Sequence, residues 1–165
     1  MEIRRVSERD TGAMTALYNR FIRETLVSFE TEEITPTEMM SRVQAKLRRH
    51  EWLVAYDSDE FLGFAYFGEF RERAAYAGTV EASIYLCDSA VGRGVATELY
   101  GALIRRAGEQ GYREVIGVIT VPNDRSEGLH RRLGFTPVGV LRRVGRKFGQ
   151  DADVALWQMQ LPVVQ

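Results

Sequence analysis

Residues 79–107 constrain this chain more than any other stretch. Val80, Ala82, Ile84 and Leu86 alternate with Thr79, Glu81, Ser83, Tyr85 and Cys87, the two-residue period of a strand with two distinct faces. A glycine-containing turn follows, Val91-Gly92-Arg93-Gly94-Val95-Ala96. Ala96, Leu99, Tyr100, Leu103, Ile104 and Ala107 then recur at helical spacing, and Gly111 is a stop signal. A strand that runs through glycines into a helix aims unsatisfied N–H groups and the positive end of a helix dipole at the edge of the sheet. That place suits a pyrophosphate, and glycine lets the phosphate come close to the backbone. Arg93 either adds a charged contact there or points to solvent. The dinucleotide fingerprint is not met, because Thr97 stands where its third glycine belongs, and the lysine of a nucleotide phosphate loop is missing. On the local pattern alone, a tight strand-to-helix connection explains the two glycines as well as an anion site does.

The remaining elements fall around this unit. Ile3–Val6 reads as a short strand, and Ser7-Glu8-Arg9-Asp10 resembles a capping box ahead of a helix carrying Met14, Leu17, Tyr18, Phe21 and Ile22. Thr35-Pro36-Thr37-Glu38 starts a second helix, with Met39, Met40, Val43 and Leu47 as its buried stripe. Trp52–Tyr56 and Phe61–Phe67 form a hairpin about a polar turn. Val115–Val121 is a strand, Asn123–Leu133 a short helix stopped by Gly134, and Val138–Val144 and Val154–Leu161 are two last strands. The order is β-αα-βββ-α-β-α-ββ, a mixed α/β (α+β) sheet in one domain spanning residues 1–165, without the strict alternation of a doubly wound fold.

Charge and composition narrow the function. The 165 residues carry 22 basic and 23 acidic side chains, a net charge of −1, so no basic excess argues for nucleic acid or an anionic membrane. The single cysteine, Cys87, permits neither an internal disulfide nor a cysteine-based zinc site, and its apolar strand predicts a buried, inert thiol. No apolar run approaches the ~20 residues of a membrane span. With no apolar signal region at Met1-Glu2-Ile3-Arg4-Arg5, the expectation is a cytoplasmic protein that needs no metal.

Three side chains stand out chemically. Glu81 places a charge mid-strand between Val80 and Ala82; it can serve as a general base, although a solvated face or an arginine salt bridge is the simpler account of the pattern. Asn123 follows a strand and opens a helix, where it can act as N-cap. His130 lies in that short helix, where a lone histidine is more often structural than catalytic.

The element order and the turn at 91–96 resemble the GNAT acetyltransferase superfamily, with Gly94 and Ala96 matching its Gln/Arg-x-x-Gly-x-Gly/Ala signature and Val91 departing from it. A narrower likeness runs through Val27-Ser28-Phe29-Glu30-Thr31-Glu32, Trp52-Leu53-Val54-Ala55, Gly63-Phe64-Ala65-Tyr66, Thr79-Val80-Glu81, Pro122-Asn123-Asp124, Leu133-Gly134-Phe135 and Trp157-Gln158. These stretches are similar to the phosphinothricin and methionine sulfoximine N-acetyltransferases. The resemblance implies a GNAT acyl-CoA N-acyltransferase fold, acetyl-CoA as cosubstrate, a small-molecule amine as acceptor and a homodimer. It makes Glu81 the general base in a direct ternary-complex transfer, and His130 the acid or the hydrogen-bond partner of the cofactor sulfur. It assigns cofactor contacts to the backbone of Ile84, Tyr85 and Leu86, to residues Val91, Gly92, Arg93, Gly94, Val95 and Ala96, and to Asn123. For the acceptor it implies Phe29, Arg73 and Tyr76 beside Glu81, with Arg73 as a bidentate carboxylate anchor.

The likeness breaks at Lys147-Phe148-Gly149-Gln150-Asp151-Ala152-Asp153. Relatives carry Lys-His-Gly and then Asn-Trp-His-Asp, so Phe148 and Ala152 replace histidines in a loop implied to build the acceptor pocket or the dimer contact. Two other readings follow from these departures: acetylation of a protein N-terminus or lysine, and a CoA-binding regulatory module without turnover.

Overall fold

The computed structural model describes residues 1–162. Seven strands form one sheet: β1 (Glu2–Arg5), β2 (Trp52–Asp57), β3 (Glu60–Glu69), β4 (Thr79–Leu86), β5 (Glu114–Val121), β6 (Thr136–Lys147) and β7 (Gln150–Gln160). Four helices accompany them: α1 (Thr11–Glu24), α2 (Pro36–Leu47), α3 (Val95–Glu109) and α4 (Asp124–Leu133). The sheet order is β1-β2-β3-β4-β5-β7-β6. Every pairing is antiparallel except β4 with β5, so the order predicted from sequence and the mixed sheet both hold.

Alternation along the strands sorts the core into two layers. Leu53, Ala55, Phe67, Val80 and Ala82 face α3, packing with Leu99, Tyr100 and Leu103. Trp52, Val54, Phe64 and Tyr85 face α1 and α2, packing with Met14, Leu17, Tyr18, Met39 and Val43. Thr35 caps α2 by accepting from the Glu38 N–H at 3.1 Å, with Pro36 in the first turn. Among the described residues no helix is long and apolar enough to cross a membrane.

Three local expectations change. The box at Ser7–Asp10 closes a short 3-10 turn rather than capping α1 directly. Strands β6 and β7 run through the segment expected to be a loop: Phe148 (φ 52°) and Gly149 (φ 73°) make the two-residue turn, and Ala152 is buried within β7. Cys87 is half-buried rather than enclosed; burial still pushes its thiol up, away from the reactive thiolate.

Asp10 ties β1 to α1. It is fully buried and accepts from Arg4 at 2.7 and 2.8 Å, from the Ser7 N–H at 2.7 Å and from the Tyr56 hydroxyl at 2.9 Å. Burial opposes its charge, but these donors prevail and hold the carboxyl well below the usual range. A depressed folded-state pKa contributes stability above the unfolded-state value, and that stability is lost as pH falls through the folded one. Asp10→Asn is therefore expected to cost about 2 kcal/mol at neutral pH. Urea denaturation should also show a shallower loss of stability below about pH 4 than in the parent.

Candidate active site

Strands β4 and β5 pair from Thr79–Glu114 to Ala82–Gly117 and no further. On its other side β4 stays paired with β3 as far as Leu86–Gly63, and β5 stays paired with β7 to Val121–Asp153. The two parallel strands therefore diverge at their C-terminal ends, next to the start of α3. Cys87 donates its N–H to Leu62 O at 2.9 Å, and Phe67 donates to Glu51 O, away from β4. Alternation then sends the Tyr85 N–H into the β3 ladder and leaves the Ile84 and Leu86 N–H groups facing the gap. Of the three amides expected to serve a cofactor, Tyr85 is thus committed elsewhere, and its ring lies in the α1–α2 layer against Tyr18 and Phe64.

A polar chain fills the fork where the strands part. Tyr100 of α3 places its hydroxyl 3.3 Å from Ala82 O and 3.2 Å from His130 Nε2. His130 Nδ1 lies 2.8 Å from Ser126 O. A carbonyl only accepts, so Nδ1 carries the proton and Nε2 is an acceptor. The imidazole is 3% exposed, and burial pushes its pKa down. Its ring rests on Gly117, where any Cβ would overlap it. His130 is thus a neutral acceptor with its proton turned away from the fork. That geometry does not suit the general-acid role expected of it; it props the fork instead.

The turn before α3 offers donors. Gly92 (φ 78°) and Gly94 (φ 79°) take left-handed backbone, with open space where a Cβ would project. Helical bonding begins with Glu98 N–H to Gly94 O, which leaves the Val95, Ala96 and Thr97 amides free. Val91 is different, since its N–H is spent on Asp88 O at 3.1 Å. Arg93 is different too: its guanidinium bonds Glu60 at 3.0 Å and also Asp57, strapping the turn to the β2–β3 hairpin. Opposite charges beside it, rather than phosphate, decide where Arg93 points. Asn123 caps α4, accepting from the Ser126 N–H at 3.1 Å, and its amide nitrogen remains available as a donor. The free amides and the glycine-lined space fit the pyrophosphate and amide arm of a coenzyme A thioester.

Glu81 lies on the opposite face of β4 from Ala82, toward α1 and α2, half-buried. Burial pushes its carboxyl up, and the Lys46 ammonium pulls it part of the way back. Beside it is a cavity of about 100 Å³ lined by Tyr18, Glu30, Met39, Arg42, Lys46, Trp52, Phe64 and Tyr66. Composition gave no hint of Lys46, Arg42 or Glu30 there; the two available signals were the i, i+4 spacing of Arg42 and Lys46 on α2 and the separate Phe29-Glu30 motif before that helix. Arg42 is held by Glu30 at 2.5 Å and by Glu38 at 2.5 Å.

The other acceptor candidates are less central. Phe29 does not line this cavity: its ring covers Gly145 of β6, while Lys147 anchors the same loop through Thr25 O and Ser28 O at 2.8 and 2.6 Å. Arg73 and Tyr76 lie in the exposed β3–β4 connection, where Arg71 rather than Arg73 stacks on Phe70 and Tyr76. Two substitutions separate backbone from side chain at the turn. Arg93→Ala is expected to change the acetyl-CoA Kd by less than about threefold, as an exposed ion pair is worth little. Gly94→Val forces a β-branched residue into left-handed backbone and should weaken binding by about tenfold or more. Isothermal titration calorimetry reads both.

Comparison with known proteins agrees with this geometry. The acetyltransferase (GNAT) family model matches residues 12–135. A phosphinothricin N-acetyltransferase of Streptomyces viridochromogenes is 37% identical over 96% of this chain and 86% of its own. An L-methionine sulfoximine/L-methionine sulfone acetyltransferase of Pseudomonas paraeruginosa is 35% identical over 96% and 94% of the two chains. The crystal structure of a GNAT superfamily phosphinothricin acetyltransferase from Sinorhizobium meliloti in complex with AcCoA superposes with a TM-score of 0.93 at 31% identity, covering 97% of this chain and 88% of that one. With the family model spanning most of the chain and relatives this similar along nearly all of it, the chain belongs to the GNAT family and is an acetyl-CoA-dependent N-acetyltransferase.

Proposed function

We propose that the chain, acting as one domain over residues 1–165, acetylates the amine of a small amino-acid-like acceptor of the phosphinothricin, methionine sulfoximine or methionine sulfone type. The observation that carries this reading is the juxtaposition along β4: free Ile84 and Leu86 amides line the fork, and Glu81 lies a few residues earlier, on the sheet face of a cation-lined cavity and within the field of its Lys46. Bound acetyl-CoA supplies an activated acyl carbon. The Gly92, Gly94, Val95 and Ala96 backbone holds the pyrophosphate, with Asn123 donating from α4. The Ile84 and Leu86 N–H groups orient the arm and stabilise negative charge on the acyl oxygen. Glu81 takes the proton from the acceptor ammonium, directly or through one water, since only the free amine is a nucleophile. Its raised pKa makes it a stronger base than an exposed carboxylate. Arg73 is the arm that meets the acceptor carboxylate, with Tyr76 beside it in the β3–β4 connection; Phe29, whose ring covers Gly145 of β6, is not part of this pocket.

Two copies of the chain pair in this reading through β6. That strand is the sheet edge and exposes Val138, Val140, Leu141 and Val144, with Phe148 exposed in the turn that follows it, a combination that natural proteins cover. A cytoplasmic place of action accompanies acetyl-CoA as donor. Light scattering after gel filtration should give a dimer, and Val140→Asp with Val144→Asp a monomer.

Release of CoA thiol from acetyl-CoA tests the activity. Methionine sulfoximine, methionine sulfone and phosphinothricin should support turnover that peptides with free N-termini or lysines do not. Glu81→Gln should lower kcat at least about 100-fold. Because the base must be ionised, the wild-type rate should fall as pH drops through the raised Glu81 pKa. Turnover on peptides alone would establish a protein acceptor instead. Acetyl-CoA binding without turnover on any acceptor would leave a regulatory module.

A further inference from the structure

Lys46 occupies a position that packing alone does not explain. It lies in the last turn of α2, and its side chain runs down onto the sheet. The ammonium lies over Gly68, so close that a Cβ there would overlap Nζ, and 5.3 Å from the centre of the Tyr66 ring. Gly68 is the residue directly opposite Glu81 in the β3–β4 ladder. Side chains at such opposed positions start only ~5 Å apart. The ammonium thus fills the side-chain position next to the Glu81 carboxyl, space that exists because residue 68 is glycine.

The charges around Glu81 are few. From α2 come Lys46 and, one turn earlier, Arg42, which is committed to Glu30 and Glu38. From β3 come Tyr66 and Glu69, the latter acting on Lys46. From β5 comes Glu114, which accepts from Gln158, and from α3, across the sheet, Tyr100. Among the described residues, Lys46 is the cation whose field reaches Glu81. The two interact through space, with no hydrogen bond joining them. A direct salt bridge would occupy the carboxylate oxygens; an ammonium set to one side favours the charged form and leaves them open to a proton from an amine.

We infer that Lys46, seated over Gly68, is a positioning residue that keeps Glu81 ionised and unencumbered inside a partly desolvated site. The inference rests on Glu81 being the base of the acetyl transfer. It explains why a lysine points inward from α2 where an apolar residue would pack the cavity at lower desolvation cost.

The test uses the full chain labelled with 13C-glutamate. The Glu81 carboxyl signal is assigned by its loss in Glu81→Gln and titrated beside the pH profile of kcat/KM. In Lys46→Met both the carboxyl midpoint and the acid limb should move to higher pH. At the foot of the limb the rate should then fall about tenfold further below its plateau than in the wild type, the size an opposite charge within ~4–6 Å produces. Lys46→Arg should restore both. Gly68→Ala, which dislodges the ammonium without altering charge, should shift both in the same direction as Lys46→Met. A wild-type enzyme that turns over, with a midpoint unmoved in Lys46→Met or moved equally in Lys46→Arg, would overturn the inference alone. Absence of turnover in the wild type would overturn the assignment of Glu81 on which it rests.

Discussion

The Tyr100 hydroxyl at Ala82 O is the contact on which the site depends. A parallel pair of central strands ordinarily satisfies its backbone groups in each other to the end of the shorter strand. Here pairing stops at Ala82–Gly117. The carbonyl at that limit receives a phenol from α3 in place of a further strand partner. His130, bonded to the same phenol and seated on Gly117, fills the angle between the strands. The phenol's one proton is shared between the Ala82 carbonyl and His130 Nε2; because this wedge is buried, the strands part without leaving an empty seam, and the amides beyond it point into open space. The free amides of the fork, of the glycine turn and of the α3 N-terminus then all lie beyond Glu81, at the end of β4 and the start of α3.

The sheet also separates two kinds of chemistry. Backbone donors, insensitive to pH, are gathered at the fork and the helix start. The ionisable groups are gathered on the α1–α2 face, where Glu81, Lys46, Arg42 and Glu30 share a half-buried setting with Trp52, Phe64 and Tyr66. In that setting burial raises Glu81 and lowers Lys46, moving base and cation toward each other in acidity. The cofactor side therefore holds its ligand by geometry, and the acceptor side works by charge.

Periodicity made most of the fold legible. The β4 alternation, the α3 stripe and the α2 start signal depend on residues within one element, and each formed as expected. Glu81 was legible because a charge in an otherwise alternating strand is conspicuous, although its face had to be combined with the family likeness to become a base. What stayed hidden depends on partners distant in sequence. Arg93 turns to Asp57 and Glu60, 36 and 33 residues away. Lys46 meets Glu81 through a glycine on a third strand. The proton on His130 is decided by Ser126 O and Tyr100, so neither its helix nor its family position reveals that it accepts. The run at 147–153 read as a loop between strands expected to end at Val144 and start at Val154, yet Phe148 and Gly149 together make a tight hairpin turn that extends both strands.

The most direct measurement is a crystal structure of the chain with CoA. The account predicts the pantetheine arm lying in the fork beyond Ala82 and Gly117. Its amides and carbonyls should bond the Ile84 and Leu86 backbone, its pyrophosphate should rest on the amides of Gly92 and of 94–97, and the Arg93 guanidinium should remain bound to Asp57 and Glu60. An arm lying elsewhere, or β4 and β5 closed into a continuous ladder past Gly117, would contradict it.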